Sequence, residues 1–149
     1  TRKTTPGLRV LEKYAVRMGG GSNHRFNLAD GILIKDNHIQ AAGGITAAVT
    51  KARQQAPHTL KIEVEVENLA MVDEALACGA DIIMLDNMDK AAIEAAVARI
   101  AGRAIVEISG NMGEKDLADL ASTGIDLISI GALTHTVKAL DISLRFDLA

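Results

Sequence analysis

Apolar and polar residues along this chain come in blocks that switch abruptly. Gly31-Ile32-Leu33-Ile34 runs directly into Lys35-Asp36-Asn37-His38, so three adjacent aliphatics give way in one step to charge and hydrogen-bonding capacity. A short run of this kind predicts a buried strand. Lys61 to Val66 alternates charged and apolar residues and predicts a second strand. Asp81 to Leu85, Ala104 to Ile108 and Leu127 to Ile130 predict three more, and Ile142 to Phe146 a last one. Between them lie longer segments with helical signals. Thr5-Pro6 predicts a helix opening, because Thr caps free amides and Pro suits the first helical position. That helix should run to about Met18, with Leu8, Leu11 and Ala15 on one face, until Gly19-Gly20-Gly21 ends it. Further helices are predicted over Ile45 to Gln55, Leu69 to Cys78, Lys90 to Ile100 and Lys115 to Ser122, the last three each followed by a glycine.

From residue 32 to residue 127 the predicted strands recur every 20 to 29 residues with helices between them. Such a rhythm builds parallel α/β structure, as either an open doubly wound sheet or a barrel. Nearly every strand ends in a polar or glycine signal: Lys35, Glu65, Asp86, Ser109-Gly110 and Gly131. An open sheet concentrates its site at one switch point, whereas a barrel assembles its site from many strand ends. The expectation is therefore a barrel, and with about six strands it should be small, open or incomplete. Composition agrees. Hydrophobic residues make up 48% of the 149 residues but aromatic residues only 2%, so the core must be Ala, Val, Ile and Leu. One domain of this length can bury such a core.

Charge and cysteine content narrow the partners. A net charge of −3 argues against nucleic acid, which would require a basic surface. No apolar run approaches the roughly 20 residues of a membrane span. Cys78 stands alone, so no disulfide framework is expected, a reducing cytoplasm is the simplest compartment, and the thiol reads as packing.

Against this acidic background the N-terminal cations are a local feature. Arg2 and Lys3 near a terminus would ordinarily be solvated. His24-Arg25 follows a Gly-rich turn, and Arg offers a planar fork that matches carboxylate or phosphate. Lys35 closes an apolar strand, an unusual place for a solvent-facing lysine, although it could equally pair with Glu65 or Asp86. Together these cations suggest an anionic small molecule. Glu63, Glu65 and Glu67 alternate to one face of their strand, where burial is costly unless they are paired, metal-bound or released to solvent by a bend near Val66. Asp86 repeats the pattern of a buried strand ending in an acid. Glu65 and Asp86 suit Mg²⁺ or ribose hydroxyls. Ser109-Gly110-Asn111 and Gly131-Ala132 are strand-end turns whose amides can hold a phosphate. His38 and His135 lie beside these segments. No Ser-His-Asp, Cys-His or zinc-type spacing is present.

The stretches TRKTTPGLR, GGGSNHRFNLADGILIKDNHI, KIEVEVENL, IIMLDNM, VEISGNM and ISIGALTH, in that order, closely resemble quinolinate phosphoribosyltransferase. The resemblance implies transfer of phosphoribose from phosphoribosyl pyrophosphate to quinolinate with loss of CO₂, giving nicotinate mononucleotide and pyrophosphate in the presence of Mg²⁺. It implies that Thr1, Arg2, Lys3, His24, Arg25 and Lys35 contact substrate, chiefly quinolinate. By the same resemblance Glu65 and Asp86 engage ribose and Mg²⁺, and Ser109, Gly110, Asn111, Ile130, Gly131 and Ala132 hold phosphate. Lys35, Glu65 and Asp86 are the implied catalytic residues. Members carry an N-terminal α/β domain, and a partner in a homodimer or higher oligomer completes the site. Residues 1–149 are expected to be the C-terminal catalytic barrel, with that N-terminal domain absent from this chain. Two other classes stay open: a barrel that only binds an anionic ligand, and a Schiff-base aldolase acting through Lys35.

Overall fold

The computed structural model describes residues 1–146. Its framework is a five-stranded parallel sheet in chain order: β1 (Ile32–Ile34), β2 (Ile62–Val66), β3 (Ile82–Asp86), β4 (Ile105–Ser109) and β5 (Leu127–Ile128). The pairing is in register from Ile32 beside Ile62 through Asp86 beside Ser109, and on to Ile108 beside Ile128. Helices α1 (Arg9–Met18), α2 (Asp36–Ala42), α3 (Ile45–Gln55), α4 (Leu69–Ala77), α5 (Lys90–Ile100), α6 (Leu117–Ala121) and α7 (Ala132–His135) join and flank the strands. β1 and β5 do not pair with each other, so the sheet is unclosed and the fold is an incomplete α/β barrel.

The strand side chains explain this architecture. Successive residues of a strand point to opposite faces. Ile62, Val64 and Val66, with Ile83, Leu85, Val106 and Ile108, form a fully or nearly fully buried aliphatic layer together with Val49, Val72, Ile93 and Ile100 of the helices. Glu63, Glu65, Met84 and Glu107 occupy the alternate positions and face the barrel interior. Two loops beneath the sheet also tie adjacent strands. Asp81 accepts from the Ile62 amide at 2.7 Å, and Asp126 accepts from the Val106 amide at 2.8 Å.

Several sequence expectations require correction. Helix α1 begins at Arg9; Thr5 does not cap it, and its amide is instead held by the Glu12 carboxylate at 3.1 Å. The Leu8, Leu11 and Ala15 face exists but is exposed, and the buried residues of α1 are Glu12 and Lys13. Lys35-Asp36-Asn37-His38 opens helix α2, an element the sequence pattern had not predicted. The ring of His38 explains this, because its Nδ1 accepts from the Lys35 amide at 2.9 Å and satisfies the helix start. The helix predicted over 115–122 shortens to α6, initiated by Asp116, whose carboxylate accepts from the amides of Ala118 and Asp119. Helix α7 was not foreseen. The strand expected over Ile142 to Phe146 is absent. No described strand lies beside this segment to satisfy its backbone groups, and Ile142, Leu144 and Phe146 are each 80% exposed.

Candidate functional site

All the strands β1 to β4 end at one mouth, and the segments that follow them, together with residues 1–3 and 24–25, line a single cavity of about 870 Å³. Thr1, Arg2, Lys3, His24, Arg25, Lys35, Glu65, Asp86, Ser109, Gly110, Asn111, Ile130, Gly131 and Ala132 all border it. Every residue singled out as a substrate contact is therefore brought to one place, although they span 132 positions of sequence. His38 is not among the lining residues; its ring is spent on the start of α2.

The cationic side is built by α1 and its flanking loops. Lys13 donates from Nζ to the carbonyls of His24 (3.0 Å) and Arg25 (3.2 Å), and Asn23 donates to the Lys13 carbonyl at 2.8 Å. Arg9 reaches the carbonyls of Arg2 at 3.0 Å and Phe26 at 3.4 Å. Thr134 of α7 donates to the Lys3 carbonyl at 3.0 Å. Among the described residues, Arg2, Lys3 and Arg25 form no ion pair with a carboxylate. Burial pulls the Arg25 guanidinium below its usual pKa, the neighbouring Arg2 charge adds to this, and Glu63 opposes it. An anion entering here would relieve that crowding of like charge.

The His24 ring is fully engaged within the protein. Its Nδ1 accepts from the Arg25 amide at 2.9 Å, which leaves the ring proton on Nε2 to be donated to Glu63 at 2.9 Å. In this arrangement His24 lines the cavity as a neutral ring with no free N–H.

The three alternating glutamates at β2 and just past it meet three fates. Glu63 is buried, bonded to His24 through one oxygen, while Oε1 has no partner. Glu65 is paired with Lys35 across the ends of β1 and β2. Glu67 lies beyond the strand and is exposed, as a bend after Val66 would give. Glu107 of β4 joins the buried group. One ligating atom each of His24, Glu63 and Glu107 lie within 4.8 Å of one another, and Ser129 donates to Glu107. Burial raises the Glu107 pKa, the hydrogen bond from Ser129 lowers it, and the Glu63 carboxylate raises it further.

The strand-end turns supply the rest. Asn87, Gly110 and Asn111 all adopt positive φ, so the chain turns sharply where β3 and β4 stop. Asn87 donates from its amide to Ser109 O at 3.0 Å and from Nδ2 to the Asp86 carboxylate at 2.9 Å. Asn87 also lines the cavity, as do Met84, Met112, Ser129 and Thr136, none of which stood out in the sequence. The Asp86-Asn87 pair, echoing Asp36-Asn37, was the available signal for one of them. Cys78 lies away from the cavity, its thiol bonded to the Ala75 carbonyl and raised in pKa by burial.

Comparison with known proteins agrees with this architecture. The sequence profile described as "Quinolinate phosphoribosyl transferase, C-terminal domain" matches residues 1–145. A probable nicotinate-nucleotide pyrophosphorylase [carboxylating] of Bacillus subtilis is 52% identical over 149 residues, covering 100% of this chain and 52% of that protein. The nicotinate-nucleotide pyrophosphorylase [carboxylating] of Mycobacterium leprae is 48% identical, with 97% and 51% covered. The solved nicotinate-nucleotide pyrophosphorylase from Francisella tularensis superposes with a TM-score of 0.90 at 50% identity, over 96% of this chain and 51% of that one. The chain thus spans about half the length of the relatives it matches, and it belongs to the quinolinate phosphoribosyltransferase family, within that family's C-terminal domain.

Proposed function

We propose that this chain carries the catalytic barrel of a quinolinate phosphoribosyltransferase, an enzyme of pyridine-nucleotide biosynthesis. Such an enzyme joins phosphoribosyl pyrophosphate to quinolinate and releases pyrophosphate and CO₂ to give nicotinate mononucleotide. The observation that carries this reading is the division of one cavity into two chemistries: unpaired cations at one wall, strand-end carboxylates and turns at the other.

In this reading Arg2, Lys3, Arg25 and Lys35 hold the two ring carboxylates, because a dicarboxylate is retained best by several fixed cations. His24 supports that wall through the backbone of Arg25 and through Glu63. As pyrophosphate leaves, positive character grows on the sugar, and Glu65 and Asp86 stabilise it from the cavity floor. Glu65 is freed for this when the incoming carboxylates draw Lys35 away. Turns Ser109-Gly110-Asn111 and Ile130-Gly131-Ala132 receive the phosphate. After the bond to nitrogen forms, the cations retain the remaining carboxylate while the carbon–carbon bond to the departing CO₂ breaks, leaving its electron pair on the ring carbon beside the positive nitrogen, where a proton from solvent completes nicotinate mononucleotide.

The donor set fits Mg²⁺. Glu65 and Asp86 offer hard carboxylate oxygens at neighbouring strand ends, enough for an ion that keeps its other positions for water and phosphate. That ion would neutralise charge on pyrophosphate as it leaves. A homodimeric or larger assembly in the cytoplasm fits the reading. No described helix is long and apolar enough to cross a membrane.

Calorimetric titration with quinolinate, with nicotinate as control, tests the proposal, followed by turnover with phosphoribosyl pyrophosphate and Mg²⁺. Selective binding and product formation are expected. Binding without product would favour the second reading, an anion-binding barrel, which the unclosed sheet makes physically reasonable. Failure to distinguish quinolinate from nicotinate would overturn the dicarboxylate assignment.

A further inference from the structure

Helix α1 presents an inverted pattern. Its large apolar residues Val10, Leu11, Tyr14 and Met18 are each more than half exposed, while Glu12 and Lys13 are 7% and 5% exposed. Burying a carboxylate and an ammonium on adjacent positions is costly unless each is fully used. Each is used on backbone. Both oxygens of Glu12 accept from the Thr5 amide, at 3.1 and 3.3 Å, which anchors the segment bearing Arg2 and Lys3. The Lys13 ammonium grips the carbonyls of His24 and Arg25. Burial, then the adjacent Arg9 charge, lowers the Lys13 pKa, while the N-terminal amine and the Asp30 carboxylate oppose this. One turn earlier, Arg9 spans the same two segments through the carbonyls of Arg2 and Phe26.

We infer that Glu12 and Lys13 are positioning residues: together they fix the separation between the Arg2-Lys3 segment and the His24-Arg25 turn, and so set which spacing of two carboxylates the cavity accepts. The inference rests on the proposed dicarboxylate pocket and deepens it by naming what makes the pocket selective. Neither side chain needs to touch the ligand. Lys13 acts through the carbonyls of 24 and 25, and these also orient the Arg25 amide that selects the His24 tautomer. Glu12 acts through Thr5 on the opposite half. The two halves approach α1 from different parts of the chain, so only a shared rigid element can hold them at a constant distance.

The test separates positioning from simple loss of fold. In the unaltered chain, ¹⁵N-edited NMR should show Lys13 Nζ protons protected from exchange and a His24 ring protonated on Nε2 alone. Lys13→Met should keep the amide spectrum of β2 to β4 yet show a mixed His24 tautomer, and quinolinate affinity should fall about tenfold or more. Nicotinate affinity should change far less, so the ratio between the two ligands collapses. Glu12→Gln, which keeps one acceptor, should lie between the two. Lys13 protons exchanging as freely as those of surface lysines would overturn the inference even if the variant fails to fold. So would a Lys13→Met chain with unchanged ligand selectivity. If the unaltered chain prefers neither ligand, the dicarboxylate reading fails, and the protection and tautomer measurements still decide whether α1 clamps the two segments.

Discussion

Lys35 at the end of β1 and Glu65 at the end of β2 form an ion pair across the floor of the cavity, while Arg2, Lys3 and Arg25 beside them have no carboxylate partner among the described residues. The pair makes Lys35 a cation already in use, and removing it would leave the part-buried Glu65 charge facing an incoming dianion.

Lys35→Ala should therefore weaken quinolinate binding by more than a lost contact, on the order of 100-fold, because a charge-assisted bond is replaced by repulsion. Lys35→Ala combined with Glu65→Gln should recover part of that loss. Calorimetry on the three chains checks both statements. Near-normal affinity in the single variant would remove Lys35 from the site.

The turn after β4 makes a geometric prediction. Gly110 has φ of +95°, and a Cβ there would lie 2.1 Å from Asn87 Oδ1 and 2.9 Å from Asn87 N. Gly110→Ala should destabilise the chain by about 2 kcal/mol or more and displace Asn87 from Asp86. Gly131 has negative φ, and its added Cβ would crowd the movable ring of His135, at 3.0 Å, with Thr1 Cγ2 at an ordinary 3.9 Å. Gly131→Ala should thus cost less stability. Thermal unfolding of both variants decides the order.

Glu107 gives a pH signature. Burial raises its folded pKa first, and the Glu63 carboxylate adds to this. A carboxyl raised in this way contributes stability while protonated and loses that contribution as pH rises through its folded value. Glu107→Gln keeps an acceptor for Ser129 without the charge. The variant should match the unaltered chain below the ordinary Glu pKa of about 4.3 and exceed it in Tm increasingly toward neutral and alkaline pH. A gap that closes as pH rises would contradict the assignment.

Asp81 lies in a loop beneath the sheet, away from the cavity lining, and accepts from the Ile62 amide as well as pairing with Arg53. The Arg53 pair is substantially exposed and contributes little. The bond to the strand amide dominates, so Asp81→Ala should lower stability by about 1–3 kcal/mol and leave quinolinate affinity unchanged. Arg53→Ala should do much less. Denaturant unfolding beside calorimetry tests the separation of stability from binding.

The sequence was most legible where local and tertiary demands coincide. Ile45–Gln55 and Lys90–Ile100 form the helices their spacing predicts, because apolar positions at Ala48, Val49, Ile93 and Ala96 meet the sheet that they were patterned for. Strand ends were legible for a similar reason: an apolar run can stop in a charge only where the sheet stops. Lys35, Glu65 and Asp86 follow from that rule alone. Helix α2 was not legible, because His38 supplies the helix start through a side chain whose role depends on its ring orientation. Ile142–Phe146 misled for another reason: its alternation is genuine strand pattern without a described neighbour to pair with.

What the sequence determined by itself is the repeat of strand and helix, the aliphatic identity of the core, and the set of residues at the strand ends. These follow from periodicity and from the cost of burying charge. Tertiary structure alone decided how those residues are used. It tied Lys35 to Glu65, left Arg2, Lys3 and Arg25 unpaired, spent both nitrogens of His24 within the protein, and buried Glu12 and Lys13 while exposing the apolar face of their helix. Such choices depend on distances between segments far apart in the chain, and pairing energy falls away within a few ångströms. No local pattern encodes that separation; only the curve of the sheet around its interior sets it.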